Sequence, residues 1–177
     1  MWKKVIDFPE SGGLRSKVGS EMRTTERLTF DSEQVLENGT WVGMRGLSLN
    51  FEKDGTLTEK PQDGILIIDE DVSIGALCTI HRGGWRPTHI MKGCRIGSAV
   101  NLGHNTILHQ NVMVAPKATI GGSCSIGEGA KIWQGAMIAS RITVGKGSVI
   151  AMGAVVLENV PEGEIWGGTP AKRIGLV

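Results

Sequence analysis

An aliphatic residue recurs at every sixth position through the second half of the chain. A six-residue period matches neither the 3.6-residue period of an α-helix nor the two-residue alternation of a strand. It predicts short strands joined by tight corners, three to each turn of a parallel β-solenoid. The same phase holds upstream, and a step of ten residues between Ile80 and Ile90 places four extra residues there. The positions in phase are Ile68, Ile74, Ile80, Ile90, Ile96, Leu102, Leu108, Val114, Ile120, Ile126, Ile132, Ile138, Val144, Ile150 and Val156.

Two further positions of the hexad carry small residues. The position four after each aliphatic residue is mostly small, and the position one after it is often Gly or Ala. We expect the small residue to pack beside the large one in the interior, and Gly or Ala to permit the corner. Cys78, Cys94 and Cys124 all occupy the small slot, which predicts buried and inert thiols. Because the three cysteines lie far apart with no CxxC motif, a reducing cytoplasmic setting is the simplest interpretation.

Charge and hydropathy argue against two classes of partner. Lys and Arg number 19 against 18 for Asp and Glu, so no electrostatic excess favours nucleic acid or an anionic membrane. No apolar run approaches the roughly 20 residues that span a bilayer, and the first residues lack the apolar stretch of a signal peptide. We therefore expect neither nucleic acid nor membrane as a partner.

The N-terminal third breaks the repeat. We expect residues 1–63 to form a small segment that caps the open first coil of a solenoid covering residues 64–160. Asp31, with Gln34 three residues later, predicts the start of a short helix that ends near Gly39.

Two other segments outside the repeat have recognisable patterns. Residues 46–58 predict a β-hairpin, because apolar residues alternate and Asp54-Gly55 supplies a turn. The hexad ends before residues 161–177, which we expect to fold back on the last coils.

Proteins with this hexad pattern are left-handed β-helices, and several segments resemble the hexapeptide-repeat acyltransferases. Thr79-Ile80-His81-Arg82-Gly83, followed by a short loop and Thr88, resembles an insertion of the UDP-3-O-acylglucosamine N-acyltransferase family. Leu102-Gly103-His104-Asn105 is similar to that family's catalytic segment, and Ile120-Gly121-Gly122-Ser123 to its segment one coil later. The ending Gly168-Thr169-Pro170-Ala171-Lys172 resembles that of acetyl-CoA-dependent acetyltransferases of nucleotide-linked amino sugars.

This resemblance implies an acyl, most simply acetyl, transfer from acyl-CoA to an amino group of a sugar or nucleotide sugar. Transfer from a thioester to an amine needs a base, and a neutral imidazole suits that role near pH 7. The tetrahedral intermediate carries an oxyanion that needs an N–H donor. The resemblance implies His104 as the base, the Gly122 amide as the donor, and a homotrimer with its sites between neighbouring subunits. The chain departs from the family at His81, where the family has Asp, and at Arg141, where it has a second histidine.

Binding residues are predicted on the same reasoning. Candidate acceptor contacts are Asn105, Arg82 and Trp85, with Arg86 beside them, since aromatic rings stack on sugars and bases. A wedge against a neighbouring subunit is the other interpretation of Trp85 and Arg86. Basic side chains that could hold the phosphates of CoA, or simply be solvated, are Arg141, Lys146, Lys172 and Arg173.

Two other functions fit parts of the sequence. His104 and His109 have the spacing of the paired zinc ligands of γ-class carbonic anhydrases, and His81 resembles that family's first ligand. Three imidazoles from facing subunits would give an open zinc site that activates water. The second alternative is a non-catalytic trimeric scaffold, whose interface would use apolar residues predicted to be exposed, such as Met113, Trp133 and Met137.

Overall fold

The computed structural model describes residues 28–30, 35–37 and 39–177, and its regular elements are all β-strands. Because none of these residues lies in a helix, no helix in this part of the chain could cross a membrane.

The repeat region folds as a parallel β-solenoid, in agreement with the predicted left-handed β-helix. Its short strands alternate among three sheets and make a solenoid of about six turns. Preceding strands are β1 (Leu28–Phe30), β2 (Val35–Leu36), β3 (Trp41–Met44), β4 (Leu49–Phe51) and β5 (Leu57–Glu59). The solenoid strands are β6 (Leu66–Ile68), β7 (Ser73–Ile74), β8 (Thr79–His81), β9 (Thr88–Ile90), β10 (Arg95–Ile96), β11 (Asn101–Leu102), β12 (Ile107–Leu108), β13 (Met113–Val114), β14 (Thr119–Ile120), β15 (Ser125–Ile126), β16 (Lys131–Ile132), β17 (Met137–Ile138), β18 (Thr143–Val144), β19 (Val149–Ile150) and β20 (Val155–Val156). The chain ends in β21 (Glu164–Gly168) and β22 (Ala171–Leu176).

The strand register follows the hexad. Leu102 pairs with Ile120, so each coil of three hexads stacks directly on the next. In the coil that holds the insertion, paired residues are further apart in sequence, and Leu66 pairs with Thr88. The four extra residues after Ile80 therefore bulge outward as a loop without changing the phase of the strands.

The interior is filled as the sequence predicts. All twelve aliphatic residues from Ile90 to Val156 are at most 4% exposed. The small slot beside them is equally buried, and Cys78, Cys94 and Cys124 are each 0% exposed. Their thiols donate hydrogen bonds to backbone carbonyls, each at 3.1 Å, of Gly97, His109 and Ala139 respectively.

The sequence predicts that the glycines directly after the aliphatic residues permit the corner, and this explanation is wrong. Positive φ recurs every six residues but two positions later, at Asn105 and Ser123 among others. Gly103 has no positive φ, but a Cβ there would lie 2.5 Å from the backbone nitrogen of Gly122 in the next coil. Glycine at this position therefore permits close stacking of successive coils rather than the turn.

The N-terminal segment adds strands to the start of the solenoid. β1, β2 and β3 pair in parallel with β6, β7 and β8, one strand on each sheet. The predicted helix after Asp31 is wrong where it can be compared, because Val35–Leu36 form a strand; Asp31 and Gln34 lie outside the described residues. Pairing to an exposed sheet edge outweighs the weak local helix signal in this segment.

The predicted hairpin is confirmed and leaves the solenoid between β3 and β6. β4 and β5 pair antiparallel, and Asp54 accepts a hydrogen bond from the Thr56 N–H at 2.9 Å across the turn. At the other end of the chain, β21 pairs in parallel with β19, and β22 folds back antiparallel on β21.

We predict that replacing Cys124 with Ala lowers stability by about 1 kcal/mol, as expected for loss of one buried methyl-sized group, and leaves turnover unchanged. Alanine already fills the same slot at Ala118, Ala130 and Ala136, so the fold accepts it. Burial raises the pKa of the Cys94 thiol to about 11, so native protein should also resist alkylation at pH 8. Calorimetric unfolding and thiol labelling check both statements. Loss of turnover without a change in melting temperature would instead indicate a chemical role for the thiol.

Candidate active site

His104 lies at the corner between β11 and β12, in the register that the hexad assigns to an outward side chain. Its imidazole is half-buried, whereas the next residue, Asn105, is fully buried with φ of 62°. Asn tolerates this left-handed conformation better than most residues with a Cβ. The corner therefore turns the Asn105 amide inward beneath the ring.

Asn105 fixes which nitrogen of His104 carries the proton. Asn105 Nδ2 donates to the carbonyl of Arg86 at 2.8 Å, and Oδ1 accepts from the Gly84 N–H at 3.3 Å. These two bonds set the orientation of the amide. His104 Nδ1 lies 2.5 Å from Oδ1, which can only accept, so Nδ1 is the donor. In the neutral ring Nε2 is then left with its lone pair, free to accept a proton.

Glycines on two sides leave room for the imidazole of His104. A Cβ on Gly122 would lie 2.8 Å from Nε2, and a Cβ on Gly46 would lie 2.7 Å from Cδ2. Nε2 therefore lies directly beside Gly122. The Gly122 N–H donates to no group among the described residues, so it is available to an oxyanion next to Nε2.

An open cleft of about 850 Å³ surrounds this corner. His104, Gly122 and Ser140 line it from successive coils, and Arg141 follows Ser140. Residues of the hairpin and its flanks also line the cleft: Ser48, Asn50, Lys60, Pro61 and Gln62. Among the described residues that line the cleft, those with a permanent charge are all cations.

The inserted loop supplies the third part of the cleft. Trp85 is 76% exposed and lines the cleft, and the Arg86 guanidinium lies 4.9 Å from its ring centre. Arg86 also donates to the carbonyls of Asn105 at 2.8 Å and Ser123 at 3.1 Å. Arg86 therefore holds the loop against the corner that carries His104.

The predicted acceptor contacts thus divide into two groups. Trp85 faces the cleft, as the prediction requires. Arg82 Nε donates to the Gln62 carbonyl at 2.7 Å, and neither Arg82 nor Asn105 lines the cleft. Their positions support a structural role, since Arg82 ties the loop to the hairpin and Asn105 orients His104.

Of the basic residues predicted to hold CoA phosphates, Arg141 alone lines the cleft. Lys146 pairs with Glu128 at 2.9 Å, and Lys172 pairs with Glu158. Arg173 approaches Glu164 at 3.4 Å. These three cations are exposed and lie outside the cleft of a single chain.

The histidines of the zinc alternative do not converge within one chain. His81 ends β8, and burial, with a smaller contribution from the charge of His104, lowers its pKa. His109 lies at another corner, with Nε2 3.2 Å from the Ser125 hydroxyl. The described residues include no group of three His, Cys, Asp or Glu side chains able to hold a metal ion. A zinc site built from these histidines would therefore need ligands from two subunits.

Sequence reasoning missed the residues that the hairpin region brings to the site. Gly46, Lys60 and Gln62 carry no motif, and each is more than forty positions from His104. Their position near His104 depends on how β3 pairs with β8 and on where the hairpin leaves the solenoid. A search for a lone Gly or Gln in the sequence would not have selected them.

We predict that replacing Gly46 with Ala displaces the His104 ring and lowers kcat about a hundredfold, the effect expected for a misplacement of about 1 Å. Gly46 has no positive φ, so the backbone accepts Ala and the methyl group acts through its contact with the ring. Gly175→Ala is the matched control, because a Cβ there meets its nearest neighbour at 3.6 Å. Imidazole NMR resonances and turnover report the effect. Unchanged resonances and kcat in Gly46→Ala would contradict it.

The bacterial transferase hexapeptide family model, which describes six repeats, matches residues 123–158. The UDP-3-O-acylglucosamine N-acyltransferase of Rhodopseudomonas palustris is 48% identical over 138 residues, which are 78% of this chain and 38% of that protein. The corresponding protein of Methylobacterium nodulans is 31% identical over 140 residues, 79% of this chain and 40% of that protein. The chain thus spans about two fifths of the length of these curated relatives.

Solved structures give the same fold at lower identity. The Arabidopsis UDP-N-acetylglucosamine acyltransferase has a TM-score of 0.73 at 18% identity, covering 82% of this chain and 49% of that one. The UDP-N-acetylglucosamine acyltransferase of Bacteroides fragilis has a TM-score of 0.68 at 20% identity, covering 84% and 58%. At these identities the superpositions establish the fold alone. Together with the sequence matches, they confirm that this chain resembles the hexapeptide-repeat acyltransferases.

Proposed function

We propose that this chain transfers an acyl group from acyl-CoA to an amino group of a sugar or nucleotide sugar, with His104 as general base. The observation that carries the proposal is the bond between His104 Nδ1 and Asn105 Oδ1, which in the neutral ring leaves the lone pair on Nε2, beside Gly122. The names of the curated relatives, which are N-acyltransferases of an acylated UDP-glucosamine, support the same reaction class.

The step needs only groups that line the cleft. The acceptor amine attacks the thioester carbonyl while Nε2 of His104 takes a proton from the nitrogen, and a C–N bond forms. The carbonyl oxygen becomes an oxyanion that accepts a hydrogen bond from the Gly122 N–H. Collapse of the tetrahedral intermediate breaks the C–S bond, and the imidazolium returns its proton to the departing thiolate of CoA. The base is thereby restored to its neutral form.

Arg141 is the residue we assign to a phosphate of CoA, since it is an exposed cation in the cleft one coil beyond Gly122. The Gly-Thr-Pro-Ala-Lys ending favours an acetyl donor. Lys146, Lys172 and Arg173 could add to donor binding only where a second subunit closes the cleft.

A homotrimer is expected in solution. Large apolar side chains remain exposed on the single chain, with Trp133 38%, Met137 52% and Met152 70% accessible, while Met113 is half-buried. Burying such side chains between subunits is the favourable outcome of the hydrophobic effect. Light scattering at micromolar concentration should give three times the mass of the chain. A stable monomer would contradict the trimer, and with it the alternative zinc site, which needs ligands from two subunits.

Replacing His104 with Ala should lower kcat of acyl transfer by about a hundred- to ten-thousandfold, the usual contribution of a positioned base. CoA affinity, the oligomeric state and the melting temperature should stay unchanged, because the ring is half-buried at the surface and fills no core space. Release of free thiol from acetyl-CoA in the presence of amino sugars gives the rate.

His109→Ala is the matched control for this experiment. His109 contacts Ser125 at another corner, so its loss should cost acyl transfer little. If both variants lose a bound metal together with activity, the zinc enzyme is the correct function. Near-normal kcat in His104→Ala would refute the mechanism proposed here, and absence of both turnover and metal in the unmodified protein would favour a scaffold.

A further inference from the structure

The hairpin gives the cleft a wall that the repeat alone does not provide. Ser48 and Asn50 approach from the β4 side, and Lys60, Pro61 and Gln62 follow β5. We call these five residues the hairpin wall. Four of the five carry polar or charged side chains, and they face the same cleft as His104.

Gln62 presents a buried acceptor with no partner. The residue is 4% exposed, and its Oε1 forms no hydrogen bond within the described part of the chain. Leaving a buried amide oxygen unpaired costs free energy that a polar ligand can recover by donating to it. Because Gln62 lines the cleft, rotation of its terminal amide about χ3 can present Oε1 to a hydroxyl or amino group of a bound molecule, which supplies the missing donor.

Gln62 is also close to the groups that orient the base. A Cβ on Gly84 would lie 3.0 Å from Nε2 and 3.1 Å from Oε1 of Gln62, so the amide rests against the inserted loop. The N–H of Gly84 donates to Asn105 Oδ1, which in turn accepts from His104. A molecule bound to Gln62 therefore lies in the same cleft as His104 and beside the loop that orients its ring.

The charge of the residues that line the cleft restricts the class of ligand that can bind there. Lys60 is exposed beside Gln62 and forms no ion pair with any described residue, and no carboxylate is among the described residues that line the cleft. A cation in a cleft whose lining contains no carboxylate favours an anionic ligand. Polar and amide groups on the same wall suit a ligand rich in hydroxyl groups.

We propose that the hairpin wall is the acceptor subsite and that it recognises a sugar carrying an anionic group such as a phosphate. Gln62 Oε1 accepts a hydrogen bond from a hydroxyl or amino group of the sugar, and Lys60 binds the anionic group. Arg141, which lines the same cleft, remains with the donor. This inference rests on the proposed function for the identity of the acceptor as a sugar, but binding to the wall can be measured without turnover.

The test measures sugar affinity by calorimetry in the absence of any acyl donor. The probes are glucosamine 1-phosphate, neutral glucosamine and CoA, each titrated into the full chain. Gln62→Leu removes the amide oxygen at similar volume and should weaken both sugars about tenfold, the value of one hydrogen bond. Lys60→Gln should weaken glucosamine 1-phosphate about two- to fivefold, as expected for an exposed ion pair, and leave glucosamine unchanged. CoA affinity should not change in either variant.

Two matched controls separate recognition from a general effect of the substitutions. Gln134 is the other described residue with a buried, unpartnered amide oxygen, and it does not line the cleft, so Gln134→Leu should leave sugar binding unchanged. Lys53 lies near the tip of the same hairpin and outside the cleft, so Lys53→Gln should also have no effect.

Each result decides for or against the subsite. Equal sugar affinity in Gln62→Leu and the unmodified chain, weaker CoA binding in place of weaker sugar binding, or no binding of either sugar at millimolar concentration would overturn it. Acyl transfer to an amino sugar with unaltered sugar affinity in both variants would overturn the subsite while leaving the proposed function intact. Sugar binding that depends on Gln62 and Lys60 without any acyl transfer would support the subsite and refute the function.

Discussion

Each coil of the solenoid hydrogen-bonds to the next in parallel register, and Leu102 pairs with Ile120, which pairs with Ile138. Residues one coil apart therefore lie one above the other, whatever their side chains. This constraint places Gly122 over His104 although they are far apart in sequence. It also explains why the corner glycines matter, since the nitrogen of Gly122 lies 2.5 Å from where a Cβ of Gly103 would be. The distance between the His104 ring and the Gly122 N–H is thus set by the coil spacing.

At the corner that carries His104, the positive φ that the repeat requires also orients the His104 ring. Positive φ recurs at the corners of the repeat, and residues as different as Lys117 and Arg141 adopt it. At Asn105 the same backbone turn buries an amide that binds the loop backbone on one side and His104 Nδ1 on the other. The orientation of the His104 ring is therefore built into the repeat.

The sequence predicts the parts of this molecule that depend on periodicity. The interior aliphatics, the buried cysteines, the loop after Ile80 and the outward direction of His104 all follow from the six-residue phase. Local signals predict the structure less reliably. The helix expected after Asp31 is wrong at Val35–Leu36, because these two residues pair with the sheet edge as a strand. The contributions of Gly46 and Gln62 have no periodic or local signal, since both depend on where a hairpin with its own antiparallel pairing meets the solenoid.

The solenoid corners and the hairpin contribute different parts of the site. The stacked corners bring His104 and Gly122 to the cleft. The hairpin and the loop containing Trp85 add walls, and they meet where the Arg82 guanidinium bonds the Gln62 carbonyl. Because Asn105 is bonded to the loop and not to the hairpin, a change of side chain at Lys60 can, under the proposed function, alter which acceptor binds without moving the His104 ring. Under the proposed function, selectivity for the acceptor can therefore change on this scaffold while the groups that the repeat supplies stay constant.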